Sequence, residues 1–145
     1  PNVSGASGII YVPDSAWFYI ADCGGEAVTA YDANGTQQTL SGTFPNLAFP
    51  TGIAYDPSNT QLYVANFHNN TLTAYHSNGT PATLSGSGAG LNNPFGMAYD
   101  PKNGFMYVAN RGNSTISAYD SSGNPQTLTG TFPGVDAPYS IAIVP

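Results

Sequence analysis

The sequence predicts an all-β array of small antiparallel sheets, on three observations. First, a 44-residue period runs along the chain without insertion or deletion. It carries Gly8 to Gly52 and Gly96, Tyr19 to Tyr63 and Tyr107, and Tyr31 to Tyr75 and Tyr119. It also carries Gly35 to Gly79 and Gly123, Leu40 to Leu84 and Leu128, and Pro13 to Pro57, Pro101 and Pro145. Residues 51–94 and 95–138 are identical at 22 of 44 positions, so the units are copies of one structural element. Second, each unit holds four short runs of β-type residues divided by turn chemistry. Third, no segment shows the 3.6-residue apolar spacing of a helix.

The second unit shows the elements in order. Gly52-Ile53-Ala54-Tyr55 is a short apolar strand stopped by Asp56-Pro57-Ser58-Asn59. Leu62-Tyr63-Val64-Ala65 follows, rich in residues that suit a pleated surface, and Asn66-Phe67-His68-Asn69-Asn70 breaks it. Thr71-Leu72-Thr73-Ala74-Tyr75 alternates with period two, as a strand with two unlike faces does. Asn78-Gly79 is a hairpin signal, because both residues tolerate positive φ. A weaker, more polar fourth strand lies near Pro81-Ala82-Thr83-Leu84. The same reading gives units over 7–50, 51–94 and 95–138, an extra strand over 139–145, and a single repeat domain over 1–145.

Four antiparallel strands in about 40–45 residues is the spacing of a β-propeller blade. The first strand of each unit is small and apolar (Gly-Ile-Ala, Gly-Met-Ala, Ser-Ile-Ala), as crowding near a central axis demands. A β-sandwich does not require equivalent strands at equivalent spacings. The run Pro50-Thr51-Gly52-Ile53-Ala54-Tyr55-Asp56-Pro57, then Leu62-Tyr63-Val64-Ala65-Asn66, then Thr71-Leu72-Thr73-Ala74-Tyr75, resembles the NHL-repeat and YVTN-type propeller families. The third unit repeats it with Met106-Tyr107-Val108-Ala109-Asn110. The resemblance implies blade architecture and leaves activity open, since these families include enzymes, binding platforms and surface proteins.

Propellers close with about four to eight blades. Three units and one extra strand therefore predict a ring completed by oligomerisation or by blades outside this chain, with residues 139–145 covered there. The turn Asp of the internal units, Asp56 and Asp100, is Val12 and Val144 in the terminal copies, which predicts apolar contact at the ends of the array. Tyr19, Tyr63 and Tyr107, each mid-strand among small and β-branched residues, are expected in buried and equivalent places.

Composition narrows function. Of 145 residues 41% are hydrophobic and only 7% charged, with net charge −6. Lys102 and Arg111 are the only Lys and Arg, too few to neutralise phosphates, so nucleic acid is excluded as a partner. No apolar run approaches the roughly 20 residues of a membrane helix. Ser, Thr, Asn and Gln must carry solubility, which fits an extracellular or cell-surface protein. Asn2, Asn34, Asn69 and Asn113 head glycosylation sequons in predicted turns or at the terminus, and Asn78 heads a fifth, weakened by Pro81.

Chemistry-bearing residues are sparse. Asp22, Asn66 and Asn110 share one register position just past the second strand. Likeness to lactonase-type propellers implies a divalent metal held by such side chains around a channel. Recurrence in every unit instead favours Asx bonding to the local backbone. His68 and His76 bracket a strand spanning about 16 Å, beyond the reach of one ion. Cys23 has no Lys or Arg near it in sequence to lower its pKa, and a lone Glu26 leaves little for paired acid–base work. The units diverge most at one loop register, which makes Cys23, Glu26, Phe67, His68 and Arg111 candidate binding residues. No cofactor is called for. The function expected is a non-catalytic extracellular or cell-surface module for binding, or for assembly into a ring or filament. The alternative is a metal-dependent enzyme of the lactonase or lyase kind.

Overall fold

A computed structural model describes residues 3–86 and 88–144, so the Asn2 sequon and Pro145 lie outside the described residues. Eleven strands and no helix are found among them: β1 (Ala6–Val12), β2 (Trp17–Asp22), β3 (Ala27–Tyr31), β4 (Pro50–Asp56), β5 (Gln61–Asn66), β6 (Thr71–His76), β7 (Pro81–Ala82), β8 (Pro94–Asp100), β9 (Phe105–Asn110), β10 (Thr115–Tyr119) and β11 (Pro125–Gln126). They form three antiparallel sheets, β1-β2-β3, β4-β5-β6-β7 and β8-β9-β10-β11, each a blade in chain order. The register repeats with the sequence, since Ala54 pairs with Tyr63 and Ala98 with Tyr107. The first blade departs from the expected four strands. Its fourth is reduced to one bridge between Tyr31 and Gln37, because the next pair makes only a single backbone bond from Gln38 to Ala30.

The cores lie between the blades. Val12, Tyr19, Ala21 and Val28 of the first blade pack on Ile53, Tyr55, Leu62 and Val64 of the second. Tyr63, Ala65 and Leu72 of the second pack on Met97, Met106 and Val108 of the third. The inner strands β1, β4 and β8 are neighbours around the axis, where Ile9, Ile53, Met97 and Ile141, each 44 residues on, line one concavity. Each inner strand has a bulge around its glycine. A Cβ on Gly8 would stand 2.4 Å from the Thr51 carbonyl oxygen, and one on Gly52 would stand 2.3 Å from that of Phe95. Only glycine permits this approach of successive blades.

Two expectations about the ends are corrected. Val12 makes its apolar contact not at an end of the array but inside it, fully buried in the junction with the second blade. The carboxylate it displaces is supplied two residues on by Asp14, which accepts a hydrogen bond from Tyr55 of the next blade. Residues 139–144 are extended without being a strand, because no neighbouring strand offers them a ladder among the described residues. They are seated on their own chain's third blade. A Cβ on Gly96 would meet Ser140 Cα at 2.7 Å and the Tyr139 carbonyl at 2.9 Å, as Gly52 would meet β8.

Tyrosines tie the junctions in both directions. Tyr19 donates to the carbonyl of Ser77 at 2.8 Å, and Tyr63 to that of Ser121 at 2.7 Å, each one blade ahead. Both rings are fully buried, but Tyr107, with no fourth sheet over it, is only half-buried. Tyr55 reaches back to Asp14, and Tyr99 is set beside Asp56. Burial, reinforced by Asp14, pushes the Tyr55 hydroxyl up to about 12, and burial pushes Tyr63 up to about 12. Unfolded tyrosines ionise near pH 10, so above that pH the unfolded chain binds fewer protons than the folded one. Stability is expected to be level with respect to these tyrosines below about pH 10 and to fall from there to about pH 12. Urea midpoints measured between pH 8 and pH 12 check this. A midpoint unchanged at pH 11.5 would contradict it.

Candidate binding face

One end of the blades carries the hairpin loops at 23–26, 67–70 and 111–114, which join the second and third strands of each unit. Each loop is clamped to the chain segment entering its own blade. Phe67 and His68 amides donate to the carbonyls of Phe49 and Ala48, Arg111 and Gly112 amides to those of Asn93 and Asn92, and the Cys23 amide to that of Gly5. The entering segment turns sharply before its proline. Phe49, Asn93 and Ala137 have φ of 53°, 43° and 40°, a left-handed conformation costly for residues with a Cβ.

The Asx register supplies the rest of the clamp. Asn66 accepts from the Ala48 amide at 3.0 Å and donates to Thr73 Oγ1 at 3.1 Å. Asn110 accepts from the Asn92 amide at 3.1 Å and donates to Ser117 Oγ at 2.7 Å. Asp22 takes the amides of Ser4 at 3.0 Å, Gly5 at 2.7 Å and Gly25 at 3.1 Å. Burial works to raise the Asp22 carboxyl, but the amides of Ser4, Gly25 and Gly5 outweigh it and hold it below the ordinary range. Both Asp22 oxygens are turned to these amides, and Thr29 Oγ1, the counterpart of Thr73 and Ser117, is buried without a partner. The three Asx side chains are committed to separate clamps. No group of three or more His, Cys, Asp or Glu suited to a metal is found among the described residues.

Three of the five candidate binding residues come together. Phe67, His68 and Arg111 join Phe49, Phe95 and Tyr139 in a strip of aromatic rings that crosses the junction between the second and third blades and continues onto the terminal segment. His68 stacks on Phe49 with centroids 4.4 Å apart, and Phe49 meets Phe67 at 5.6 Å. Phe67 meets Phe95 edge-on at 6.1 Å, Phe95 meets Tyr139 at 4.9 Å, and the Arg111 guanidinium lies 4.7 Å over the Tyr139 ring. Arg111 Nε is buried without a hydrogen bond. Phe49, Phe67 and Phe95 are half-buried, while His68 and Tyr139 are exposed. Cys23 and Glu26 take no part in these ring contacts. Cys23 Sγ packs against Gly5, and Glu26 is exposed. His76 ends β6, at the other end of the blade from His68.

Sequence reasoning missed Phe49, Phe95 and Tyr139. A signal was present at register 7, 51, 95 and 139. In the first two units the residue is Ser7 or Thr51, whose hydroxyl donates to the next blade at Pro50 and Pro94 carbonyls, 2.9 and 2.8 Å away. In the third unit and beyond, a ring replaces the hydroxyl. Of the described sequons, Asn34, Asn69, Asn78 and Asn113 are all exposed in turns.

Comparison with known proteins places this geometry. Residues 47–75, from the entering segment of the second blade through β6, match the NHL repeat. No curated protein sequence matches the chain. In three dimensions it resembles a chain of a nidogen–laminin complex, with TM-score 0.67 and 22% identity over 83% of this chain and 46% of that one. It also resembles virginiamycin B lyase from Staphylococcus aureus, solved with quinupristin as a catalytically inactive variant, with TM-score 0.71 and 16% identity over 97% of this chain and 46% of that one. The chain thus spans about half the length of either. Its fold is that of three β-propeller blades, and residues 47–75 within it are similar to the NHL repeat.

Proposed function

We propose that the chain is a non-catalytic propeller module of an extracellular or cell-surface protein, which assembles with further blades and binds a protein partner on its aromatic face. The observation that carries this is the strip from His68 through Phe49 and Phe67 to Phe95, half-buried rings held in place by backbone clamps at the loops where the units differ most. Rigid aromatic rings give large contact area at little entropic cost. The titratable residues are dispersed: Glu26 is exposed, and His68 and His76 stand at opposite ends of a blade. Among the two similar folds, one comes from a complex with laminin and the other is a lyase, and the dispersal of acid–base groups favours the first kind of role. The low charge and the exposed Asn34, Asn69 and Asn113 support the extracellular location.

The test uses Phe67→Ser, which removes the middle ring of the strip and leaves the Asn66 clamp intact. Immobilised wild-type protein is titrated with a panel of soluble extracellular-matrix proteins, and each one retained is titrated against the variant. We expect at least one partner, bound at least tenfold more weakly by Phe67→Ser. Equal binding by the two proteins, or chemical turnover of a retained molecule, would overturn the reading.

A further inference from the structure

The junction between the first and second blades carries an open cleft at the opposite end of the blades from the loops of the aromatic strip. Its volume is about 400 Å³, within the range of small-molecule sites. Trp17 and Leu40 give it apolar surface, and Ser15, Thr39, Ser41 and Asn78 give it polar groups. No ionisable side chain lines it. Trp17 and Leu40 are half-buried against the core of the junction, whereas Thr39, Ser41 and Asn78 are exposed. Asn78 Oδ1 accepts from the Thr80 amide at 3.0 Å and the Thr80 hydroxyl at 2.7 Å, which leaves the side-chain N–H groups of Asn78 unspent. The repeat shows which residues make the cleft. In the second unit Asn59 donates to the Tyr63 hydroxyl at 2.7 Å, and Gln61 Oε1 lies 3.2 Å from it, so both amides turn in on the tyrosine that crosses the junction. Asn103 makes the same bond to Tyr107 at 2.9 Å. In the first unit these two positions are Ser15 and Trp17. Tyr19 still crosses to the Ser77 carbonyl, but the shorter Ser15 bonds the Val12 carbonyl at 3.3 Å, and a flat indole stands where Gln61 places an amide.

We propose that this cleft binds a neutral saccharide, with one pyranose ring lying on the Trp17 indole and its hydroxyls bonded at the polar rim. The face of a pyranose presents C–H groups that pack on an aromatic ring, and its edge carries hydroxyls that both donate and accept. The rim matches that edge, since Ser15, Thr39 and Ser41 bring hydroxyls and Asn78 brings free N–H donors. A wholly apolar ligand would strip water from these groups and return no hydrogen bond, and an ionic one would find no counter-charge. The repeat gives the specificity a cause: Gln61 in the same place spends its amide inside the blade, and only the first unit offers an indole.

The cleft shares no residue with the aromatic strip, so this inference and the partner-binding reading stand or fall separately. Trp17 is the only tryptophan of the chain, and its fluorescence therefore reports on the cleft directly. Protein made in a host that adds no N-glycan, which keeps Asn78 bare, is titrated with glucose, galactose, mannose and N-acetylglucosamine. Trp17 emission and saturation transfer from protein to sugar protons follow the binding. At least one of these sugars should bind with a Kd of about 1 mM, the strength expected of so small a ligand. Trp17→Gln, which installs the residue of the second unit, should abolish the transfer signal. Ser41→Arg, made at an exposed position so that the fold and the Trp17 emission survive, should weaken binding at least fivefold by filling the cleft. Glycerol and cyclohexanol, which offer the hydroxyls or the apolar ring without the other, should give no saturable change. No saturable response to any of the four sugars, an equal response to either control, or undiminished binding by folded Trp17→Gln or Ser41→Arg protein would each overturn the proposal.

Discussion

Gly52→Val is expected to destabilise the chain by about 3 kcal/mol or more, the upper end of what overpacking a core costs. The added Cβ would lie 2.3 Å from the Phe95 carbonyl oxygen, 2.8 Å from Met97 Cγ and 3.0 Å from Met97 N. Two of these are backbone atoms of β8, which is fixed on its far side by the pairing of Met97 with Val108 and Ala98 with Tyr107. The strand cannot retreat without breaking its own sheet. Gly96→Val meets the same geometry against Ser140 and Tyr139, but residues 139–144 are held by no ladder and can lift away, so its cost should be clearly smaller. Gly130, which has nothing within 4 Å of its Cβ position, serves as the control. Urea denaturation of the three variants measures the order Gly52→Val, Gly96→Val, Gly130→Val. A Gly52→Val protein as stable as the Gly130→Val protein would mean that the blades do not pack as described.

The period made the blades legible because each unit repeats both its hydrophobic pattern and its turn chemistry. Tyr63 and Leu62 point to opposite junctions, as neighbours in a strand do, and the period-two alternation of Thr71-Leu72-Thr73-Ala74-Tyr75 is visible without coordinates. The failures occur where a residue's surroundings come from another unit. Tyr107 sits in the same local sequence as Tyr63, but burial belongs to the next blade, which Tyr107 lacks. Residues 139–144 have strand composition, yet a strand exists only as a ladder with a neighbour. Val12 reads as an end residue, whereas the junction it fills is internal, with Asp14 taking over the carboxylate's task.

The candidate face was half legible for the same reason. Loop divergence marked Phe67, His68 and Arg111, because variation at a fixed register is a property of the sequence itself. Phe49, Phe95 and Tyr139 reach the strip from entering segments and inner strands, and their ring contacts cross junctions between units. Nothing local distinguishes Phe95 from a core residue until the hydroxyls of Ser7 and Thr51 are seen to have bonded across the junction where its ring now lies.

Asn66→Ala is expected to cost about 3 kcal/mol, through unpaired buried groups more than through lost volume. Asn66 is fully buried, and its removal leaves the Ala48 amide without its acceptor and Thr73 Oγ1 without its amide donor. Asn66→Asp separates the two losses. It keeps an acceptor for Ala48 but turns the second atom, which now donates toward Thr73 Oγ1 and the Val64 carbonyl, into an acceptor. Asp22 tolerates a carboxylate at this register because three backbone amides converge on it. Around Asn66 the amides of Phe67 and His68 are already spent on Phe49 and Ala48 carbonyls, so a carboxylate there would be buried with too few donors and would hold its proton. Its folded-state pKa would rise above the unfolded value of about 3.9. The stability of Asn66→Asp should then be highest below about pH 4 relative to wild type and fall as pH rises through the raised folded pKa. Asp22→Asn should also lose ground against wild type as pH rises, but in a lower window, because it removes a carboxyl held low, whose contribution is lost as pH falls through its folded pKa and is fully present above about pH 4. Thermal midpoints of both variants and the wild type between pH 3 and pH 8 give the comparison. An Asn66→Asp penalty that does not grow above about pH 4, where that of Asp22→Asn is already constant, would show that the Asx register does not set the clamp.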